Sequence, residues 1–347
     1  MKKYVFNILI ILIVFSCKNK AKSTIENTMP PIVEVNSKQE ALINKLTLND
    51  SFKLDDVRRY GIFPNQGIGT HPLTGNKKMD ELLNLAEQGV KLTFPKGLYK
   101  TTLDLSKRKN ITLSFDKAEF TGAIIIKGQS DNITKNITLK GTLISYSSFF
   151  VSFTDNVKVD RLIIKNDKSV NISGNNSSGC NIYTGVESLY INYLRIEGTG
   201  SDGDQYNYTP AALMIHGKSP APNDILIKQA IIKSSDRHGA YLSGKIIEIE
   251  KITIESYAQG KIENMIQIAH TINGDEKKIT GIWLNDFENS IIEDLTIDTS
   301  NSPKATDAIY LDSGDSAFPS EISKVEIKGN KTDIRKVETT NVEISNK

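Results

Sequence analysis

Cysteine is nearly absent. Cys17 and Cys180 are the only two in 347 residues, so no disulfide scaffold holds the fold. The chain has one tryptophan and four histidines. His71, His216 and His270 are dispersed without metal-ligand spacing, which argues against a His/Cys zinc site. No apolar run reaches the ~20 residues that a membrane-spanning helix needs. Neither a phosphate-cradling glycine loop nor a Gly-x-Ser-x-Gly elbow occurs. An excess of one charge is missing too: 43 Lys+Arg stand against 41 Asp+Glu, and the +2 vanishes once Lys2 and Lys3 are set aside. A chain neutral as a whole has no basic footprint for nucleic acid or for an anionic membrane surface. What is present, 38% apolar and 24% charged residues, suits a folded domain with a sizeable core rather than a disordered tail.

The first residues read as an export signal. Lys2 and Lys3 precede a short apolar stretch, Val5 to Phe15, which has the length of a signal h-region. Val14-Phe15-Ser16-Cys17 resembles the lipobox of bacterial lipoproteins, with Phe15 where a smaller residue is commoner. That resemblance implies a signal peptide over 1–16 and acylation of Cys17. The protein would then be tethered to a membrane in the bacterial cell envelope, periplasmic or surface-exposed. The polar residues 17–50, with Pro30-Pro31, read as a flexible tether to a domain over 51–347. Cys180 reads as a buried structural thiol.

The body repeats. Apolar, any, apolar, charged recurs as Ile111-Thr112-Leu113-Ser114, Ile137-Thr138-Leu139-Lys140, Leu162-Ile163-Ile164-Lys165, Leu194-Arg195-Ile196-Glu197 and Ala230-Ile231-Ile232-Lys233. Ile252-Thr253-Ile254-Glu255, Leu295-Thr296-Ile297-Asp298 and Val325-Glu326-Ile327-Lys328 continue it. An offset series reads Leu213-Met214-Ile215-His216, Ala240-Tyr241-Leu242-Ser243, Ile282-Trp283-Leu284-Asn285 and Ile309-Tyr310-Leu311-Asp312. Each is a short strand with alternate residues facing inward. Two series at one loose period imply coils that bury their apolar positions by stacking, an all-β parallel β-helix. Its open end needs a cap, and Met79, Leu82, Leu83 and Ala86 lie on one face of a helix over Lys77 to Gln88, with Asn76 to cap it. This N-terminal cap covers about 76–90.

A short helix, then Leu92-Thr93-Phe94-Pro95-Lys96-Gly97-Leu98-Tyr99, then strand repeats, resembles the pectate-lyase-like superfamily from about Tyr60 onward. The resemblance implies a right-handed parallel β-helix, often acting on acidic or neutral polysaccharides. Fold alone does not fix the reaction.

In the offset series Met214, Tyr241, Trp283 and Tyr310 point outward in one column, beside His216, Ser243, Asn285 and Asp312. Aromatic rings stack on sugar rings and polar neighbours bind hydroxyls, so Tyr241, Trp283, Tyr310, His216 and Tyr206 are candidate polysaccharide-binding residues. The other reading is that the rings are strand residues packed under a loop, and the 42 residues from Tyr241 to Trp283 leave room for an inserted coil. Asp202, Asp204, Tyr206 and Tyr208, followed by Asp236-Arg237-His238, form the richest constellation. Asp204 and Asp236 could be the acid and base of glycosidic hydrolysis. Alternatively Asp202 and Asp204 could hold Ca²⁺, with Arg237 neutralising a uronate and His238 or Tyr241 as the base of a β-elimination. Asp312-Ser313-Gly314-Asp315 is a weaker Ca²⁺ loop. The sequence has no close copy of the Asn-Thr-Asp, Asp-Asp, Gly-His-Gly and Arg-Ile-Lys set of polygalacturonase-like hydrolases. A non-catalytic, glycan-binding or adhesive β-helix therefore stands beside the enzyme. The partners expected are a polysaccharide and, through Cys17, a membrane; the chain reads as a monomer.

Overall fold

The computed structural model describes residues 37–200, 211–260, 279–302, 305 and 307–345. The strands among them pair in parallel, each with the strand one coil later. The result is a parallel β-helix with three faces. On the first face Leu92, Leu113, Leu139, Val159, Ile191, Ile227 and Ile249 stack inward. The second stacks Ala118, Leu143, Leu162, Leu194, Ala230, Ile252, Leu295 and Val325. The third stacks Ile124, Phe149, Cys180, Leu213, Ala240, Ile282 and Ile309. Nearly all of these side chains are shut off from solvent in one continuous core. Burial drives the Cys180 thiol well above the ordinary range, which suits a packing role.

The corner before the first face has its own rule. Asn110, Asn136, Asn156, Ser188, Asp224, Ile246 and Asn289 occupy equivalent positions, and all have left-handed backbone. Asparagine tolerates that conformation and links coils: Asn136 Nδ2 donates to Asn110 Oδ1 at 2.7 Å, and Asn156 Nδ2 to Asn136 Oδ1 at 2.9 Å. Gly141 makes the turn between the first and second faces at φ +78°. A Cβ there would lie 2.3 Å from the Phe115 carbonyl oxygen.

Three sequence expectations need correction. The first repeat series mixes two faces: Ile111–Ser114 and Ile137–Lys140 lie on the first, whereas the members from Leu162 onward lie on the second. The tether expected over 17–50 does not reach Asp50, because Ser37–Leu46 is a helix, α1, that buries Ile43 and Leu46. Ser37 therefore opens the compact unit. The cap helix α2, Lys78–Glu87, buries Met79, Leu82, Leu83 and Ala86 as expected, but Lys77 holds the N-cap position. Asn76 instead donates through Nδ2 to Glu81 Oε1 at 2.6 Å. Packing on the first coil is secured at the far end of α2. There Glu87 accepts from the Lys109 amide at 2.9 Å and from Arg108 Nη1 at 2.8 Å. No described helix is long and apolar enough to cross a membrane.

Candidate functional site

The third face carries a grid of outward side chains. Its central column is Asn181, Met214, Tyr241, Trp283, Tyr310 and Arg335, in that register. No coil is inserted between Tyr241 and Trp283. Their ring centroids lie 4.8 Å apart, edge to face, and Trp283 and Tyr310 lie 5.7 Å apart. One flanking column is Ala211, His238, Thr280 and Asp307; the other is His216, Ser243, Asn285 and Asp312.

An open aromatic platform, as the sequence suggests, is not what the face presents. Met214, Tyr241, Trp283 and Tyr310 are 5, 5, 6 and 0% exposed and form a second apolar cluster with Ala211, Tyr183 and Val337. The rings cover one another edge to face, His216 closes on Tyr241, and His238 closes on Trp283, both at 5.4 Å. Rings packed this way have no free face for a sugar. Burial raises the Tyr241 phenol above its ordinary range, so it stays protonated at neutral pH.

Asp236, Arg237 and His238 are 6, 2 and 4% exposed. Asp236 Oδ1 accepts from Thr199 Oγ1 at 3.3 Å, and Gly200 lies so close that a Cβ would meet the carboxylate at 2.9 Å. His238 Nδ1 accepts the Thr280 amide proton at 3.1 Å. That bond assigns the Nε2–H tautomer, in which the ring donates rather than accepts at Nε2. The base role expected of His238 does not fit this tautomer. Asp202, Asp204, Tyr206, Tyr208 and His270 lie outside the described residues. Among the described residues no group of three His, Cys, Asp or Glu gathers where a metal could sit. In the Asp312–Asp315 loop the carboxylates already serve the protein. Asp312 accepts from Trp283 Nε1 at 3.0 Å and from the Ser313 amide at 2.8 Å, and Asp315 from the Ala317 amide at 2.9 Å.

Beyond Arg335 at the end of the central column, the grid opens along its polar edge. His216, Asn285 and Asp312 are partly exposed, and Asp286, Ser313 and Lys218 are exposed beyond them. Asn285 Nδ2 donates to the Tyr241 hydroxyl at 3.1 Å, and Ser313 Oγ donates to Asn285 Oδ1 at 3.3 Å. Burial raises the Asp286 carboxyl above its ordinary range, with Glu288 and Asp312 adding to the effect and Lys218 opposing it. The edge is thus a row of hydrogen-bonding groups with a mildly negative bias. The sequence points to the column but not to Asp286, which enters through an irregularity in the strand register after Leu242, or to Lys218, just beyond the strand Ala211–Ile215.

No family model matches the chain, and no curated protein or solved structure matches it.

Proposed function

We propose that the chain is an exported, lipid-anchored carbohydrate-binding β-helix protein whose ligand is a neutral polysaccharide held along the polar edge of the third face. The observation that supports this is the single open row of that grid, His216, Asn285 and Asp312, fixed from beneath by the Tyr241 hydroxyl and the Trp283 indole. Coils repeat every ~4.8 Å, so the row offers three polar groups across four coils to an extended chain of hydroxyls, Ser243 between His216 and Asn285 being buried. Asp286 and Asp312 outweigh Lys218 on this edge, which disfavours the carboxylate of a uronate. The pectate-lyase-like resemblance and the lipobox-like Cys17 are consistent with an envelope protein that handles glycans.

The test is a titration of a panel of neutral and uronate oligosaccharides. Binding of a neutral member, weakened roughly ten-fold by Asn285→Ala, a change of about 1.4 kcal/mol, is expected. Retention by Tyr190→Ala, on the first face, is expected alongside. Binding confined to uronates would refute the reading.

Cleavage is a second reading, favoured by the buried Asp236 carboxylate beside the grid. A neutral glycan cannot undergo uronate β-elimination, and neutral His238, its Nδ1 taken by the Thr280 amide, could give up its Nε2 proton only by becoming an imidazolate anion. This reading is therefore hydrolysis, with Asp204 and Asp236 as the acid and base pair that the sequence offers. It requires new reducing ends from wild type and their loss in Asp204→Asn and Asp236→Asn. A rise at 235 nm would point back to elimination.

A further inference from the structure

The bend between the first and second faces breaks the alternation of the strands. From Val159 onward two outward residues in succession stand between inward ones: Asn192 and Tyr193 between Ile191 and Leu194, Lys228 and Gln229 between Ile227 and Ala230, Glu250 and Lys251 between Ile249 and Ile252. Stacking turns these pairs into two parallel columns. One holds Asn192, Lys228, Glu250 and Glu293; the other holds Arg161, Tyr193, Gln229, Lys251 and Asp294. Between them lies a groove of about 620 Å³. Charge is sorted along it. The first three coils line it with Arg161 and Lys228 and no acid, and the last two with Glu250, Glu293 and Asp294 against Lys251. Asp160, next to Arg161, serves the preceding coil, where it accepts the Gly141 amide at 2.9 Å. The adjacent first-face column runs the same way, from Lys158 through Tyr190 and Leu226 to Glu248. Arg161 is held flat against Tyr193, its Cζ 3.8 Å from the ring centroid. Lys251 and Lys324 both pair with Asp294, at 3.3 and 3.8 Å. Among the described residues no opposite charge lies within 4.0 Å of Arg161, Lys228, Glu250 or Glu293. Glu250 and Glu293 are also neighbours one coil apart, a like-charge contact that a cation would relieve.

A ligand complementary to this surface carries an anion at one end and a cation at the other. Asn192 and Gln229, between the two ends, each present an amide that both donates and accepts, as a peptide bond does. Arg161 and Glu293 stand four coils apart, roughly 19 Å, which about six extended residues span. We propose that the groove binds an extended zwitterionic peptide, with its carboxylate at Arg161 and Lys228 and its ammonium at Glu250 and Glu293. A neutral or uniformly acidic glycan would leave Glu250 and Glu293 unmatched.

Titration of the full chain at low salt with hexaalanine, its N-acetyl form, its C-terminal amide and the doubly blocked peptide reads each end separately. Hexaalanine with both termini free should bind at least about three-fold more tightly than either singly blocked form, and added salt should narrow the differences. R161Q/K228Q should erase the advantage given by the free carboxylate and keep that of the free ammonium. E250Q/E293Q should do the reverse. K100Q/K127Q, at exposed positions away from the groove, should keep both. Unchanged thermal melting shows that these variants are folded. None of the variants touches the third face, so the result is independent of glycan binding there. Equal affinity for the four peptides, binding of none, or the same loss at both ends from the two groove variants would overturn the proposal. An oligogalacturonate that binds where the peptides do not, and is lost in R161Q/K228Q, would assign the groove to acidic glycans instead.

Discussion

At the scale of single residues, the left-handed corner before the first face sets the sharpest constraint. Ile246 breaks its pattern: a β-branched, 51% exposed side chain sits at φ +52°, between Asp224 and Asn289 in the ladder. Left-handed backbone costs an L-residue about 1–2 kcal/mol, and a β-branched one is worst placed. Ile246→Asn should therefore raise stability by about 1 kcal/mol, seen as a higher denaturant midpoint. Asp312 is the opposite case. Its removal in Asp312→Ala leaves the buried Trp283 N–H without its acceptor and should cost about 1–3 kcal/mol, with Asp312→Asn restoring part of the loss. The corner is legible in the sequence. Asn110, Asn136 and Asn156 each stand directly before a first-face strand, and a recurring asparagine at that offset signals a left-handed turn. The geometry of His238 was not legible, because its partner is a backbone amide 42 residues away.

At the scale of elements, strands of the first and second faces carry the same apolar, any, apolar pattern, which is why Ile137-Thr138-Leu139-Lys140 and Leu162-Ile163-Ile164-Lys165 read as equivalent. Their flanks differ: Asn136 precedes one, Arg161 the other. The charged residue closing the second-face strands makes a ladder of its own: Lys165, Glu197, Lys233, Glu255, Asp298 and Lys328 are successive neighbours. Lys233 is ion-paired with Glu255, both side chains about one-third exposed. Exposed pairs are worth at most about 1 kcal/mol, so Lys233→Met should cost less than that, whereas Lys233→Glu adds like-charge contacts on both sides and should cost more. Burial pushes the Glu119 carboxyl up, but hydrogen bonds from Tyr146 (2.7 Å) and Lys165 (3.0 Å) outweigh it and leave the carboxyl below its ordinary range. A carboxyl depressed in the folded state stabilises above its unfolded value and loses that contribution as pH falls through the folded one. Thermal melts should show Glu119→Gln less stable than wild type at neutral pH, with the gap closing in acid.

For the whole molecule, the third-face register is readable because a large side chain, methionine once and an aromatic residue three times, punctuates each strand. Leu213-Met214-Ile215, Ala240-Tyr241-Leu242, Ile282-Trp283-Leu284 and Ile309-Tyr310-Leu311 align without offset. Their burial was not readable. Alternation assigns a side chain to the outer face but does not say what lies over it, and the expected sugar platform fails on that point. Helix α1 is not legible in the sequence because Leu42, Ile43 and Leu46 are embedded in a polar stretch, too few to mark a periodic stripe. The claim that positions dozens of residues apart meet as a covered column can be tested on Trp283, the single tryptophan. Packed between Tyr241 and Tyr310, it should fluoresce with a blue-shifted maximum, resist iodide quenching in the folded protein, and become quenchable on unfolding. Emission like that of free tryptophan, with full iodide access in the native state, would contradict the stacked column.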